Sequence, residues 1–394
     1  MKKTIKDFDI DNKRVIIRCD FNVPIKDGVI EDDNRIINSI PTIKYAVDNN
    51  AKVILLSHLG RIKNEEDKKH NSLMPVAKRL EELLGKRIKF ISETRGRAVE
   101  IEINKMNKKD VVLLENTRFE DYPDKKESSN DKELGTYWAS LGDIFINDAF
   151  GTVHRSHASN VGIASNIPSG IGFLIEKEIK MLGSVLNEPK RPYTVILGGA
   201  KMNDKIKVIN NLIEKCDYLL LGGGIANTFL VAKGYDLKKS VYDKESLDYA
   251  KELLDKYNDK IILPVDGYGT YEFKDSKNKE YFLLNDLKDD IIVLDIGEKT
   301  IELYDKYIRK SKTIFLNGPV GVFEFDNFSY GTKELLKRLH AHNINVIVGG
   351  GDSAFAAIKF GYKNKFTHIS TGGGASLEYI EGKKLPGIEI IDNK

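Results

Sequence analysis

The sequence predicts an α/β protein made of two doubly wound, Rossmann-like domains with mainly parallel sheets, joined by a hinge helix. Three observations lead there. Short apolar runs recur along all 394 residues with helical patterns between them, the runs lack polar alternation, and the two halves differ in composition. Runs at 15–18, 53–56, 111–114 and 144–146 read as buried strands of the first half. Runs at 194–197, 218–221, 291–294, 313–316 and 345–348 do the same in the second. Strands without alternation suit a sheet covered on both faces, hence parallel pairing through right-handed crossovers.

The connecting elements follow in order. Leu73, Val76, Ala77, Leu80, Leu83 and Leu84 keep helical spacing and stop at Gly85. Leu174, Ile175, Ile179, Leu182, Val185 and Leu186 form a helical stretch within 172–189 that can join two domains. Ile206, Ile209, Leu212 and Ile213 repeat the pattern after Asn203 or Asp204 as a cap. The charged segments 63–71 and 121–130 read as solvated loops. Ten of the thirteen arginines fall at or before Arg155, whereas every Gly-Gly pair falls after it, so the halves are expected to take different ligands. The domains are placed at 1–171 and 172–375, the second including the linker helix.

Composition narrows the function. At 41% hydrophobic and 31% charged, with ten prolines, the chain can bury a core. A net charge of +3, from 62 basic and 59 acidic side chains, supplies no global field for nucleic acid or a membrane surface. Cys19 and Cys216 lack the paired spacing of a zinc site or disulfide scaffold, which suits a reducing cytoplasm. Lys6, Asp7 and Asp9 stand where a signal peptide needs an apolar region, and 158–175 is too polar to span a bilayer.

The first half places cations just past strand ends, where open parallel sheets put their ligands. Arg35, Arg61, Arg118 and Arg155 with His58 and His154 suit a small, multiply anionic ligand, because guanidinium forks bind phosphate and carboxylate bidentately. Asp20 and Asn22 are positioned to take a hydroxyl. His154 and His157 stand three apart, but no thiol or carboxylate pattern joins them, which argues against zinc.

The second half places glycines past strand ends, at 198–199, 222–224, 349–351 and 372–374, where bare backbone can approach a phosphate or a base. Asn317 begins a turn whose apolar groups suit a purine face, with Glu324 for a ribose hydroxyl. Lys201 and Lys205 are four apart, which on one helix would aim both ammoniums at the same phosphates. No GxxxxGK[ST] loop exists. The segment 349–354 satisfies a loose GxGxxA, but Thr371 to Gly374 stand where a dinucleotide site wants an acid.

Taken together, RCDFNVP at 18–24, SHLGR at 57–61, LLENTRF at 113–119, NDAFGTVHRSHAS at 147–159, GGAKMNDKI at 198–206, GGGIANTFL at 222–230, NGPVGVFE at 317–324, GGGDSA at 349–354 and TGGGASLEYIEGKKLPG at 371–387 resemble the phosphoglycerate kinase family over essentially the whole chain. Departures are Cys19 where valine is common, Ile62 where proline usually follows, and Met202-Asn203 in the lysine motif.

The resemblance implies reversible phosphoryl transfer between 1,3-bisphosphoglycerate and MgADP in glycolysis, by domain closure about 172–189, in a cytoplasmic monomer. It implies that 376–394 packs back on the first domain. It implies 3-phosphoglycerate or 1,3-bisphosphoglycerate at Asp20, Phe21, Asn22, Arg35, His58, Leu59, Gly60, Arg61, Arg118 and Arg155, with His154 close by. For ADP or ATP it implies Lys205, Gly222, Gly223, Gly297, Asn317, Glu324, Gly350, Gly351, Asp352 and Ser353, with Asp352 as the Mg²⁺ ligand. Arg35, Lys201 and Lys205, with the amides of Gly372 and Gly373, would steady the migrating group; no general base is needed, because the acceptor oxygen is already ionised. Two other readings remain: an NAD-dependent oxidoreductase, marked by protection with NADH but not MgADP, and a catalytically silent nucleotide-binding protein.

Overall fold

A computed structural model describes residues 1–394. It divides into two compact units, Met1–Lys180 with Lys384–Lys394, and Met181–Lys383. The division falls within the helix Phe173–Leu186, which occupies the stretch expected to join the domains.

In the first unit, β1 (Arg14–Arg18) pairs with β4 (Lys52–Leu56) on one side and β7 (Ile144–Asn147) on the other. A hairpin of β2 (Ile25–Lys26) and β3 (Val29–Ile30) lies outside that sheet. Adding β5 (Lys89–Ile91), β6 (Val111–Leu114) and β8 (Ser169–Ile171) completes a parallel sheet of order β5-β6-β4-β1-β7-β8. The order reverses at β1, so the segments after β1, β4 and β7 converge at one edge, the place where such sheets bind ligands. Val15, Ile17, Val53, Leu55, Leu113 and Ile146 are buried in one core, consistent with their unbroken apolarity. The helix Met74–Leu84 packs Val76, Ala77 and Leu80 inward and ends at Gly85 with φ +60°, as its spacing predicts.

The second unit repeats the plan. It contains β9 (Tyr193–Leu197), β10 (Tyr218–Leu221), β11 (Ile261–Ile262), β12 (Asp266–Thr270), β13 (Glu280–Leu283), β14 (Ile292–Ile296), β15 (Thr313–Asn317), β16 (Asn345–Gly349) and β17 (His368–Ile369). Six form a parallel sheet of order β11-β10-β9-β15-β16-β17, reversing at β9. The run at 291–294 does not belong to it: β14 pairs antiparallel with β12 in a small sheet of order β13-β12-β14. Composition hid this, because β14 is apolar at both ends while only its last three residues are buried.

Two other expectations need correction. Segment 63–71 contains a short exposed helix, Glu65–His70, started by the Asn64 side chain accepting from Asp67 N at 3.0 Å. Segment 121–130 is not all solvated: Glu127 is fully buried.

Candidate functional site

At the reversal point of the first sheet, each strand end delivers a polar group and the turns hold one another. After β1, Asp20 accepts from Arg35 Nη1 with both carboxylate oxygens, each at 2.9 Å. Asn22 accepts from Gly60 N at 2.9 Å, so the turns after β1 and β4 are tied together. Gly60 has φ +60°, and a Cβ there would stand 2.1 Å from Asn71 Oδ1, so the turn requires glycine. Asn116, fully buried after β6, accepts from Leu59 N at 3.1 Å and donates to Leu59 O at 2.7 Å and Asn71 O at 2.9 Å. Arg118 Nη1 donates to Gly60 O. After β7, Arg155 Nε donates to His154 Nε2 at 3.1 Å.

These cations perturb one another. Burial pulls the Arg118 guanidinium below its usual range, with Arg18 and Arg155 adding to the effect. Burial pushes His58 well down, helped by Arg18, Arg118, Arg35 and His157. His157 is pulled down to about 3, again by burial first and then by arginines. The cluster therefore sets imidazoles of lowered proton affinity among guanidiniums, a donor set whose chemistry suits an anion. Arg61 is exposed. Phe21 and Leu59 are buried in the apolar core, which leaves their backbone, not their side chains, to meet a ligand.

Sequence reasoning missed Arg18, Glu127 and Ser159. Arg18 and Glu127 are both fully buried, with Nη2 and Oε1 4.0 Å apart. The only signal available for Arg18 was a charged residue closing an apolar strand run, and the Glu127 partner lies in a loop of charged residues.

At the reversal point of the second sheet, glycine permits contact that no side chain would. A Cβ on Gly198 would stand 1.9 Å from Pro319 O, and one on Gly318 would stand 2.0 Å from Gly198 O. Beside them opens a mostly apolar cavity of about 570 Å³. Gly199, Ala200, Gly223, Gly224, Pro319, Val322 and Phe325 line it with Glu324 and Asp352. Its size and lining suit a purine nucleoside.

Of the residues expected on this side, Gly223, Glu324 and Asp352 line the cavity, whereas Gly222 and Gly297 do not. Lys205, Asn317, Gly350 and Ser353 form a polar group outside it. Lys205 Nζ donates to Asn317 Oδ1 at 2.6 Å, Asn317 Nδ2 donates to Gly349 O at 2.7 Å, and Gly318 N donates to Ser353 Oγ at 2.5 Å. A Cβ on Gly350 would stand 2.6 Å from Asn317 Nδ2. Burial lowers the Lys205 ammonium's proton affinity while the Asp352 charge raises it, which puts the two within electrostatic reach. Gly351 opens the helix Gly351–Lys359. Gly372 N donates to Ser370 Oγ at 3.2 Å, and Gly373 has φ +52°, in the turn after β17. The helical argument for the two lysines fails: Lys205 closes a 3₁₀ turn, Asn203–Lys205, the helix starts only at Ile206, and Lys201 is exposed ahead of both.

Guanidiniums and imidazoles thus gather at one sheet's reversal point, and a glycine-lined cavity opens at the other's, in a doubly wound α/β protein. A family model described as "Phosphoglycerate kinase" matches residues 5–383. A phosphoglycerate kinase of Enterococcus faecalis is 56% identical over 395 residues, covering 100% of both chains. One of Fusobacterium nucleatum is 55% identical, also over 100% of both chains. The solved structure of phosphoglycerate kinase from Coxiella burnetii superimposes with a TM-score of 0.89 at 37% identity, covering 99% of this chain and 98% of that one. The chain belongs to the phosphoglycerate kinase family. Its chemistry is that of a kinase transferring phosphate to a carboxyl group, and its role is glycolytic. No helix is long and apolar enough to cross a membrane.

Proposed function

We propose that the cationic cluster of the first unit binds 3-phosphoglycerate or 1,3-bisphosphoglycerate, and that the glycine-lined cavity of the second binds ADP or ATP. The observation that carries this reading is geometric: the turns after β1, β4 and β6 are tied together, with Asp20 holding Arg35 Nη1, Asn22 holding Gly60 N and Arg118 Nη1 donating to Gly60 O, so that guanidiniums gather at one sheet edge. Such a cluster gains most from a polyanion. Asp20, Asn22, Arg35, Arg61, His154 and Arg155 complete the acid site, Arg35 being the group nearest the acyl phosphate.

On the nucleotide side, Ala200, Pro319 and Val322 face the base and Glu324 takes a ribose hydroxyl. Lys201, Lys205 and the amides of Gly372 and Gly373 meet the phosphates. Asp352 is exposed and belongs to no group of three or more potential metal ligands. One carboxylate with room for phosphate oxygens suits Mg²⁺, which takes few protein ligands and keeps water. Bound there, Mg²⁺ would neutralise charge on the nucleotide phosphates. The acceptor carboxylate is ionised at neutral pH, so positioning and charge neutralisation make up the catalysis. The closure expected about 172–189 is the motion this reading requires. The protein works as a monomer in the cytoplasm.

The test is turnover of 3-phosphoglycerate with MgATP by the purified chain and by Arg35→Ala. Losing this preorganised cation should raise the barrier by about 3 kcal/mol, roughly a hundredfold in kcat, while MgADP affinity stays within a few-fold. Wild-type turnover by the variant would remove Arg35 from the mechanism.

A further inference from the structure

The three nitrogens of the buried Arg18 guanidinium each have a separate partner. Nε donates to Ser159 Oγ at 2.8 Å, Nη1 donates to Cys19 O at 2.5 Å, and Nη2 lies 3.2 Å from His58 Nδ1. An arginine can only donate, so Nδ1 of His58 must accept, and an accepting Nδ1 carries no proton. The imidazole is then neutral, with its one hydrogen on Nε2. Behind Arg18 stands Glu127, whose Oε1 accepts from Ser159 Oγ at 2.5 Å and whose Oε2 accepts from Ser159 N at 2.9 Å. Ser159 thus relays between guanidinium and carboxylate, and both carboxylate oxygens are occupied.

We propose that Glu127 and Arg18 are positioning residues that lock His58 as the neutral Nε2–H tautomer, making it a fixed hydrogen-bond donor to the anionic substrate. The proposal rests on the reading of this cluster as the acid-substrate site. Free histidine divides its proton between two nitrogens and gains a second one near pH 6.5. Here Arg18, Arg35, Arg118 and His157 face His58, and a further charge among them is opposed by burial as well. A donor whose proton is already on the correct nitrogen loses no free energy to tautomer exchange when substrate arrives. Glu127 has the complementary task of keeping a desolvated guanidinium charged and aimed; burial raises its own proton affinity, and the Arg18 charge with the two hydrogen bonds from Ser159 opposes that rise.

Nitrogen NMR of protein labelled with ¹⁵N-histidine tests this, with the His58 signals assigned by their loss in His58→Gln. The expected wild-type spectrum shows one protonated and one unprotonated ring nitrogen, with the proton on Nε2, unchanged from pH 5 to 8. A proton on Nδ1, or titration of His58 in that range, would overturn the lock, and this measurement does not depend on whether Glu127→Gln folds. In Glu127→Gln, which keeps the shape and removes the charge, His58 should become a mixture of tautomers. The KM for 3-phosphoglycerate should rise roughly tenfold, the size of one charge-assisted hydrogen bond, with KM for MgATP unchanged. A spectrum and KM indistinguishable from wild type would remove Glu127 from the device. If the tautomer is locked but 3-phosphoglycerate leaves the His58 signals unmoved, the substrate assignment of the cluster fails rather than the lock.

Discussion

Asn116 shows how a residue outside the expected contact set can govern it. Its carboxamide makes three hydrogen bonds to backbone of 59 and 71, so it holds the turn that presents His58 and Gly60. Asn116→Ala should therefore lower unfolding stability by about 2–3 kcal/mol, since it leaves buried backbone groups unpaired. Thermal unfolding measures the loss; a change below a few tenths of a kcal/mol would show that water replaces the amide. Residues of this kind were only partly legible beforehand. Arg118 and His58 stand out in sequence because polar side chains follow apolar runs, whereas Arg35 lies in the first turn of the helix Asn34–Asp48. Glu127 does not stand out, because its partner Arg18 is over a hundred residues away and its neighbours are charged. Burial of an ion pair is a property of two distant segments, which no local window contains.

At the scale of elements, the helix Phe173–Leu186 starts on a buried carboxylate. Asp148 Oδ1 accepts from Leu174 N at 2.9 Å and from Ile175 N at 3.3 Å. Burial pushes its carboxyl up to about 7, against hydrogen bonds from Thr42, Ile175 and Leu174 that pull it down. The native carboxyl thus keeps a proton that the unfolded chain has released above pH 4. Between about pH 4 and 7 the native state binds more protons, so this group's contribution to stability falls as pH rises across that window. Asp148→Asn removes the linkage. Relative to wild type, the variant should gain about 1 kcal/mol per pH unit between pH 5 and 7 in urea unfolding. A constant difference across those pH values would show that Asp148 is already ionised in the native protein. The helix itself was readable from its apolar spacing, but its cap was not, because Asp148 caps it from across 25 residues of intervening chain. The antiparallel β12, β13 and β14 were hidden for a related reason. An apolar run reports burial, whereas its pairing direction is set by the strand that lies beside it.

For the whole molecule, two units with separate receptors predict separate ligand responses. In hydrogen exchange, MgADP should slow amides at 198–200, 223–224 and 319–325 while leaving 18–22 and 57–61 close to their free rates. 3-Phosphoglycerate alone should do the reverse. Protection of the glycine segments by 3-phosphoglycerate alone would reverse the assignment of ligands to units. By itself the sequence determined the α/β class, the parallel strands at both reversal points, the split between an arginine half and a glycine half, and the family. Each of these is written in local pattern: unbroken apolarity, helical spacing, and residue types at strand ends. Only the tertiary structure decided that the lysines at 201 and 205 do not share a helix, that Gly223 and Gly224 line the cavity of the second unit, and that Glu127 is interior. It also decided that His58 Nδ1 meets the Arg18 guanidinium, at 3.2 Å. Those outcomes depend on which atoms meet after distant segments have packed, and hydrogen-bond direction and desolvation exist only once they have.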